Sequence, residues 1–99
     1  MVLRLNKESI IRYFCNMWFV YIILCEDKSL YTGISNNLIK RFKDHKEGRG
    51  GKYTRSHKPI KILYSEKKKS KSGALKREIE IKKMQKKDKL ILIKNNKLK

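Results

Sequence analysis

The stretch Trp18-Phe19-Val20-Tyr21-Ile22-Ile23-Leu24-Cys25, then Glu26-Asp27-Lys28-Ser29, then Leu30-Tyr31-Thr32-Gly33-Ile34, decides the architecture. The first eight residues are almost unbroken in aromatic and β-branched character, which predicts a central strand. The polar tetrapeptide suits a hairpin loop, so the second apolar run must return antiparallel beside the first. Two tyrosines, Tyr21 and Tyr31, stand ten residues apart on the two strands of this hairpin. Downstream, Ser35, Asn36 and Asn37 are three candidate N-caps for a helix running to about Lys46. Gly48-Arg49-Gly50-Gly51 ends that helix in a flexible basic loop. After Pro59, Ile60 to Tyr64 reads as a third strand, and Lys67 to Lys71 as a basic turn. Ser70 or Ser72 caps a second helix through about Met84, and Asp88 caps a short last helix from Lys89 to Lys94. The order β-β-α-β-α-α predicts an α+β fold: a small three-stranded antiparallel sheet flanked by helices. Residues 1–16 read as an N-terminal extension, 17–93 as the domain and 94–99 as a basic tail.

Charge directs attention to a partner. The 99 residues carry 27 Lys plus Arg against 9 Asp plus Glu, a formal net charge of +18. Self-repulsion of that size does nothing for a fold, so the excess points to a polyanion. No run reaches the ~18 apolar residues that a membrane span requires, which favours nucleic acid over lipid. Cys15 and Cys25 have neither C-x-x-C spacing nor a second pair, so no zinc site is expected. Cys25 falls in an apolar strand and reads as a small buried hydrophobe, and reduced thiols fit a cytoplasmic protein.

On the first helix, Leu38, Ile39 and Phe42 form an apolar arc, and Arg41 and His45 lie side by side at its edge. That arrangement suits either a cleft served by a guanidinium and an imidazole or an ordinary amphipathic helix with a solvated Arg. On the second helix, Ala74, Leu75, Ile79 and Ile81 make the apolar arc, and Glu78 lies inside it. A carboxylate placed there needs a cation, a donor or a metal. Lys82, four residues on, could be its partner.

Tyr21, Tyr31, Arg41, His45 and Glu78, in this order and spacing, resemble the GIY-YIG nuclease domain. Lys52-Tyr53-Thr54-Arg55 and Ala74-Leu75-Lys76-Arg77-Glu78 are similar to segments of the small stand-alone bacterial members. The same domain forms the N-terminal part of a nuclease of nucleotide excision repair. In the first triplet, Phe19-Val20-Tyr21, only the tyrosine is kept; the second is Tyr31-Thr32-Gly33. The resemblance implies a metal-dependent DNA endonuclease of low sequence specificity, acting in repair or recombination. Its cofactor would be one Mg2+ or Mn2+ ion on Glu78. Arg41 would hold the phosphate, Tyr21 would take the proton of the attacking water and His45, titrating near neutrality, would relay it. Tyr31 would hydrogen-bond in the same site, and Gly33 would leave room beside it. Lys52, Arg55 and Lys58 would bind the nucleic-acid backbone. The alternative is a non-catalytic nucleic-acid-binding protein on a degenerate nuclease scaffold.

Overall fold

The computed structural model describes residues 17–97, so the N-terminal extension and Cys15 lie outside the described residues. Three strands, β1 (Trp18–Cys25), β2 (Leu30–Ser35) and β3 (Pro59–Lys68), form an antiparallel sheet in the order β2-β1-β3. The strand read as central is therefore central, with Tyr21 opposite Gly33 on one side and Ser65 on the other. In the hairpin loop, the Asp27 carboxylate accepts from the Ser29 N–H at 3.1 Å, and Lys28 takes a positive φ of 69°. An Asx-type turn of this kind closes two strands with few residues.

Period-two alternation divides β1 between two layers. Val20 and Ile22 face a cluster with Tyr64, Ala74, Ile81 and Ile93. Tyr21, Ile23 and Cys25 face the other way, against Tyr31, Leu38, Phe42 and Ile62. Helix α1 (Leu38–Lys46) belongs to the second layer. Between α1 and β3 lies α2 (Lys52–Ser56), a short helix absent from the order expected from sequence. With only five residues it has no apolar periodicity to detect. Helices α3 (Lys71–Lys83) and α4 (Lys86–Lys97) belong to the first layer.

Several boundaries differ from expectation. Asn37 caps α1, its side chain accepting from the Lys40 N–H, and Ser70, not Ser72, caps α3. Strand β3 continues to Lys68, so part of the expected basic turn is strand. β1 is long enough to pair that far, with Trp18 opposite Lys68. Asp88 lies in the first turn of α4 rather than at its cap, and the helix runs through Asn95 and Asn96, past the expected end at Lys94. The apolar arcs are also narrower. Ile39 is 84% exposed and Ile79 52% exposed, because each helix rests on a three-stranded sheet by a thin stripe only.

One ionic cluster ties α3 to β3. Arg77 donates to Glu66 at 3.1 Å and to Glu80 at 2.8 Å, while Lys68 pairs with Glu66 at 2.6 Å. The Tyr64 hydroxyl also donates to Glu66. Burial alone would raise the Glu66 pKa, but bonds from Lys68, Tyr64 and Arg77 pull it down to about 2.

Candidate active site

Tyr21 enters the layer beneath α1 because every second residue of β1 points there. It is 1% exposed. Its hydroxyl lies 2.9 Å from Nε2 of His45, which is fully buried, and Nδ1 of His45 lies 2.7 Å from the Thr54 hydroxyl. A chain of three side chains, Tyr21–His45–Thr54, thus links β1, α1 and α2. Tyr31, half-buried on β2, presents its ring edge-on to His45 with centroids 5.0 Å apart. Tyr31 also stacks on Tyr53 at 5.8 Å, and Tyr53 on His57 at 4.0 Å.

Two glycines make this packing possible. A Cβ on Gly33 would stand 2.6 Å from the Tyr21 hydroxyl oxygen, so any side chain there would displace the phenol. A Cβ on Gly50 would stand 2.0 Å from Nδ1 of His45. The Gly50 carbonyl in turn accepts from Nη2 of Arg41 at 2.7 Å. Arg41 and His45 are therefore held by the same turn of backbone. Gly50→Ala is expected to destabilise the fold by about 1–3 kcal/mol through overpacking, because His45 is pinned at both nitrogens. That lowers Tm by at least ~5 °C for a domain of this size. Gly73→Ala, where the nearest contact is an ordinary 3.4 Å, is the control and should be neutral or slightly stabilising, because alanine is the better helix residue. Equal melting of both variants would contradict the packing.

The electrostatics differ from the sequence expectation at His45. Burial, together with the Arg41 charge, lowers its pKa to about 4, so it is a neutral imidazole at neutral pH and does not titrate there. Burial raises the Tyr21 pKa to about 12, against the opposing effect of Arg41 and with the help of Tyr31 and the Glu78 carboxylate. Because the folded-state pKa of His45 lies below its unfolded value, the unfolded chain binds the proton first as pH falls. The stability that neutral His45 allows is complete above about pH 6.5 and is lost progressively down to about pH 4. Thermal melts of wild type and His45→Gln across this window check it: only the wild type should show this component of the slope.

Tyr21, Tyr31, Arg41 and His45 are thus brought into one cluster. Glu78 lies on α3, in the other layer; among the described residues no hydrogen bond or ion pair joins it to these four, and its charge is the last and smallest of the influences on the Tyr21 pKa. Its carboxylate pairs with Lys82 at 3.5 Å, with 16% of the Glu78 side chain exposed. The Glu78–Lys82 pair, one of the two readings of Glu78 from the sequence, is therefore formed. Lys52 and Arg55, on α2, and Lys58 just beyond it are exposed. Sequence reasoning missed Gly50 and Thr54 as parts of the site. A glycine two residues before the Lys52-Tyr53-Thr54-Arg55 segment was the one available signal, and it is indistinguishable from an ordinary loop glycine.

Among the described residues, no group of three or more His, Cys, Asp or Glu could ligate a metal. A small hard cation needs no such cage: it takes one or two carboxylates and keeps most of its water. Glu78, mostly covered by protein and paired with Lys82, would offer such an ion one carboxylate oxygen ligand.

A three-stranded antiparallel sheet with tyrosines on adjacent strands, and an Arg–His pair on the following helix, defines the class. Residues 17–91 match the GIY-YIG catalytic domain, and the chain belongs to that nuclease family. Several relatives are proteins of similar size. It is 51% identical over 79 residues to a UPF0213 protein of Syntrophus aciditrophicus, covering 79% of this chain and 91% of that one. A UPF0213 protein of Clostridium perfringens is 48% identical over 83 residues, covering 84% and 89%. The solution NMR structure of a UPF0213 protein from Bacillus halodurans is similar in fold, with a TM-score of 0.52 and 35% identity over 79% of this chain and 83% of that one.

Proposed function

We propose that this protein hydrolyses phosphodiester bonds of DNA with the help of one divalent cation, Mg2+ or Mn2+, and with little preference among duplex sequences. The observation that carries the reading is the cluster of Tyr21, Tyr31, Arg41 and His45, with the Glu78 charge acting on it. Core packing alone gives no reason for two phenols and a guanidinium to meet around a buried imidazole.

The roles follow from exposure. Tyr21 is sealed in and hydrogen-bonded to His45, so its work is to hold that ring. Tyr31 is the more accessible phenol and is the group that orients the attacking water and accepts its proton. This assignment replaces Tyr21 by Tyr31 at the water-facing position. His45, neutral and engaged at both nitrogens, keeps Tyr21 in place and presents an uncharged edge to Tyr31. Arg41 grips the scissile phosphate and offsets the charge that grows on its oxygens, a task for a permanently charged planar donor. Glu78 would hold the cation, which would supply Lewis-acid stabilisation of the phosphate and the departing oxygen. Lys52, Arg55 and Lys58 draw the flanking backbone along α2. A place in DNA repair or recombination is consistent with such an activity.

Incubation of the purified protein with linear, nicked and branched DNA, with and without Mg2+ or Mn2+, tests the function. Metal-dependent strand scission is expected. The degenerate Phe19-Val20-Tyr21 triplet favours the second reading, a non-catalytic binder on the same scaffold, and no cleavage of any form with either ion would establish it. Binding should be mainly electrostatic in both cases. Log K is expected to fall linearly with log salt, and removing Lys52, Arg55 or Lys58 should each reduce the slope by about 1. Salt-insensitive binding would refute the phosphate contacts.

A further inference from the structure

An open cleft of about 270 Å3 lies beside Arg41, between the start of β1, the end of β2 and the first turns of α1. Trp18 and Ile34 make its apolar wall. Lys40 and Arg41 supply positive charge, and Asn36 and Asp44 supply hydrogen-bonding edges. We propose that this cleft is a nucleobase subsite, which takes the unpaired nucleotide next to the phosphate gripped by Arg41 and favours a base with an exocyclic amino group. The proposal rests on the phosphodiester reading for the phosphate at Arg41 and adds to it a substrate form and a preference.

Four observations lead there. The volume is near the lower end of small-molecule sites, ~300–1,000 Å3, and admits one nucleotide but not a duplex. A base enters such a space only when it is unstacked, and then lies against apolar or aromatic surface. Asn36 is exposed, and among the described residues its side chain has no partner. An amide of this kind both donates and accepts, as a base edge requires. Among the described residues, Asp44 engages one carboxylate oxygen, with the exposed Arg49 at 3.3 Å, and its other oxygen can accept from an amino group. Cytosine, adenine and guanine carry such a group and thymine does not. A patch meant only for phosphate would carry no carboxylate in its wall. Arg41 lines this cleft and also bonds to Gly50 beside His45, so base and scissile phosphate would share one residue.

Trp18 is the chain's single tryptophan, which gives the cleft its own optical probe. The full-length protein, without divalent metal, is titrated with short single-stranded oligo-dC, oligo-dT and an abasic strand of the same length. Oligo-dC is expected to quench Trp18 emission saturably and to bind roughly tenfold more tightly than oligo-dT, the discrimination of one good base contact. The abasic strand should bind through its phosphates and leave the emission unchanged. Asp44→Ala should shrink the dC-to-dT ratio toward one, and Asn36→Ala should weaken binding of both oligonucleotides while leaving that of the abasic strand unchanged. Equal affinity for dC and dT, or equal quenching by the abasic strand, would overturn the subsite. Because no cleavage is involved, failure of the nuclease reading leaves this result intact. Conversely, DNA cleavage with base-independent quenching sinks the subsite alone.

Discussion

Glu78→Ala is expected to lower the rate of DNA cleavage at least a hundredfold at a fixed Mg2+ concentration. Glu78 is the proposed anchor for the cation, and the substitution takes that ligand away. Lost stabilisation of phosphate and leaving-oxygen charge costs on the order of 3 kcal/mol in the transition state. The fold should survive, because the Arg77 cluster with Glu66 and Glu80 that secures α3 does not include Glu78. DNA affinity measured without metal should hold or rise, since a negative charge leaves a basic face. Single-turnover cleavage and metal-free binding, measured side by side, check both halves. A variant that cuts as fast as wild type at the same Mg2+ concentration would falsify the metal role.

The two tyrosines are expected to separate. Tyr31→Phe removes the accessible phenol and should cost about 10²–10⁴ in rate, the range for loss of a positioned proton acceptor, with folding unchanged. Tyr21→Phe should cut activity less but destabilise the protein. It deprives Nε2 of a fully buried imidazole of its partner, a loss of about 1–3 kcal/mol. Cleavage rates compared with urea unfolding midpoints distinguish these effects. If Tyr21→Phe is the inactive variant and Tyr31→Phe retains wild-type rates, the assignment of roles is reversed. A Tm for Tyr21→Phe equal to that of wild type would argue against the buried Tyr21–His45 bond.

Much of the scaffold was legible because local physics dictated it. An apolar run of eight residues beside a four-residue polar loop can hardly be other than a central strand and its hairpin. Side-chain caps at Asn37 and Ser70 were among the few candidates that the sequence offered. Less legible were the positions where one element's length depends on another. β3 extends to Lys68 because β1 is there to pair with it, and α2 is held as a short helix because Thr54 and Tyr53 pack on His45 and Tyr31. Neither cause leaves a periodic trace in the chain.

For the candidate site, the sequence alone determined which residues to watch: Tyr21, Tyr31, Arg41, His45 and Glu78, through their resemblance to the family in order and spacing, while the charge pointed toward a polyanion. Tertiary structure decided what state those groups are in. Helical geometry puts Arg41 beside His45, but only the approach of Gly50 and Thr54 from another part of the chain buries the imidazole and keeps it neutral. Alternation along β1 sends Tyr21 inward, but only the layer formed by α1 makes it inaccessible, while Tyr31 stays partly open to water. Ionisation and access are properties of desolvation by distant neighbours. Spacing along the chain identifies the groups; the medium in which they sit comes from the packed fold.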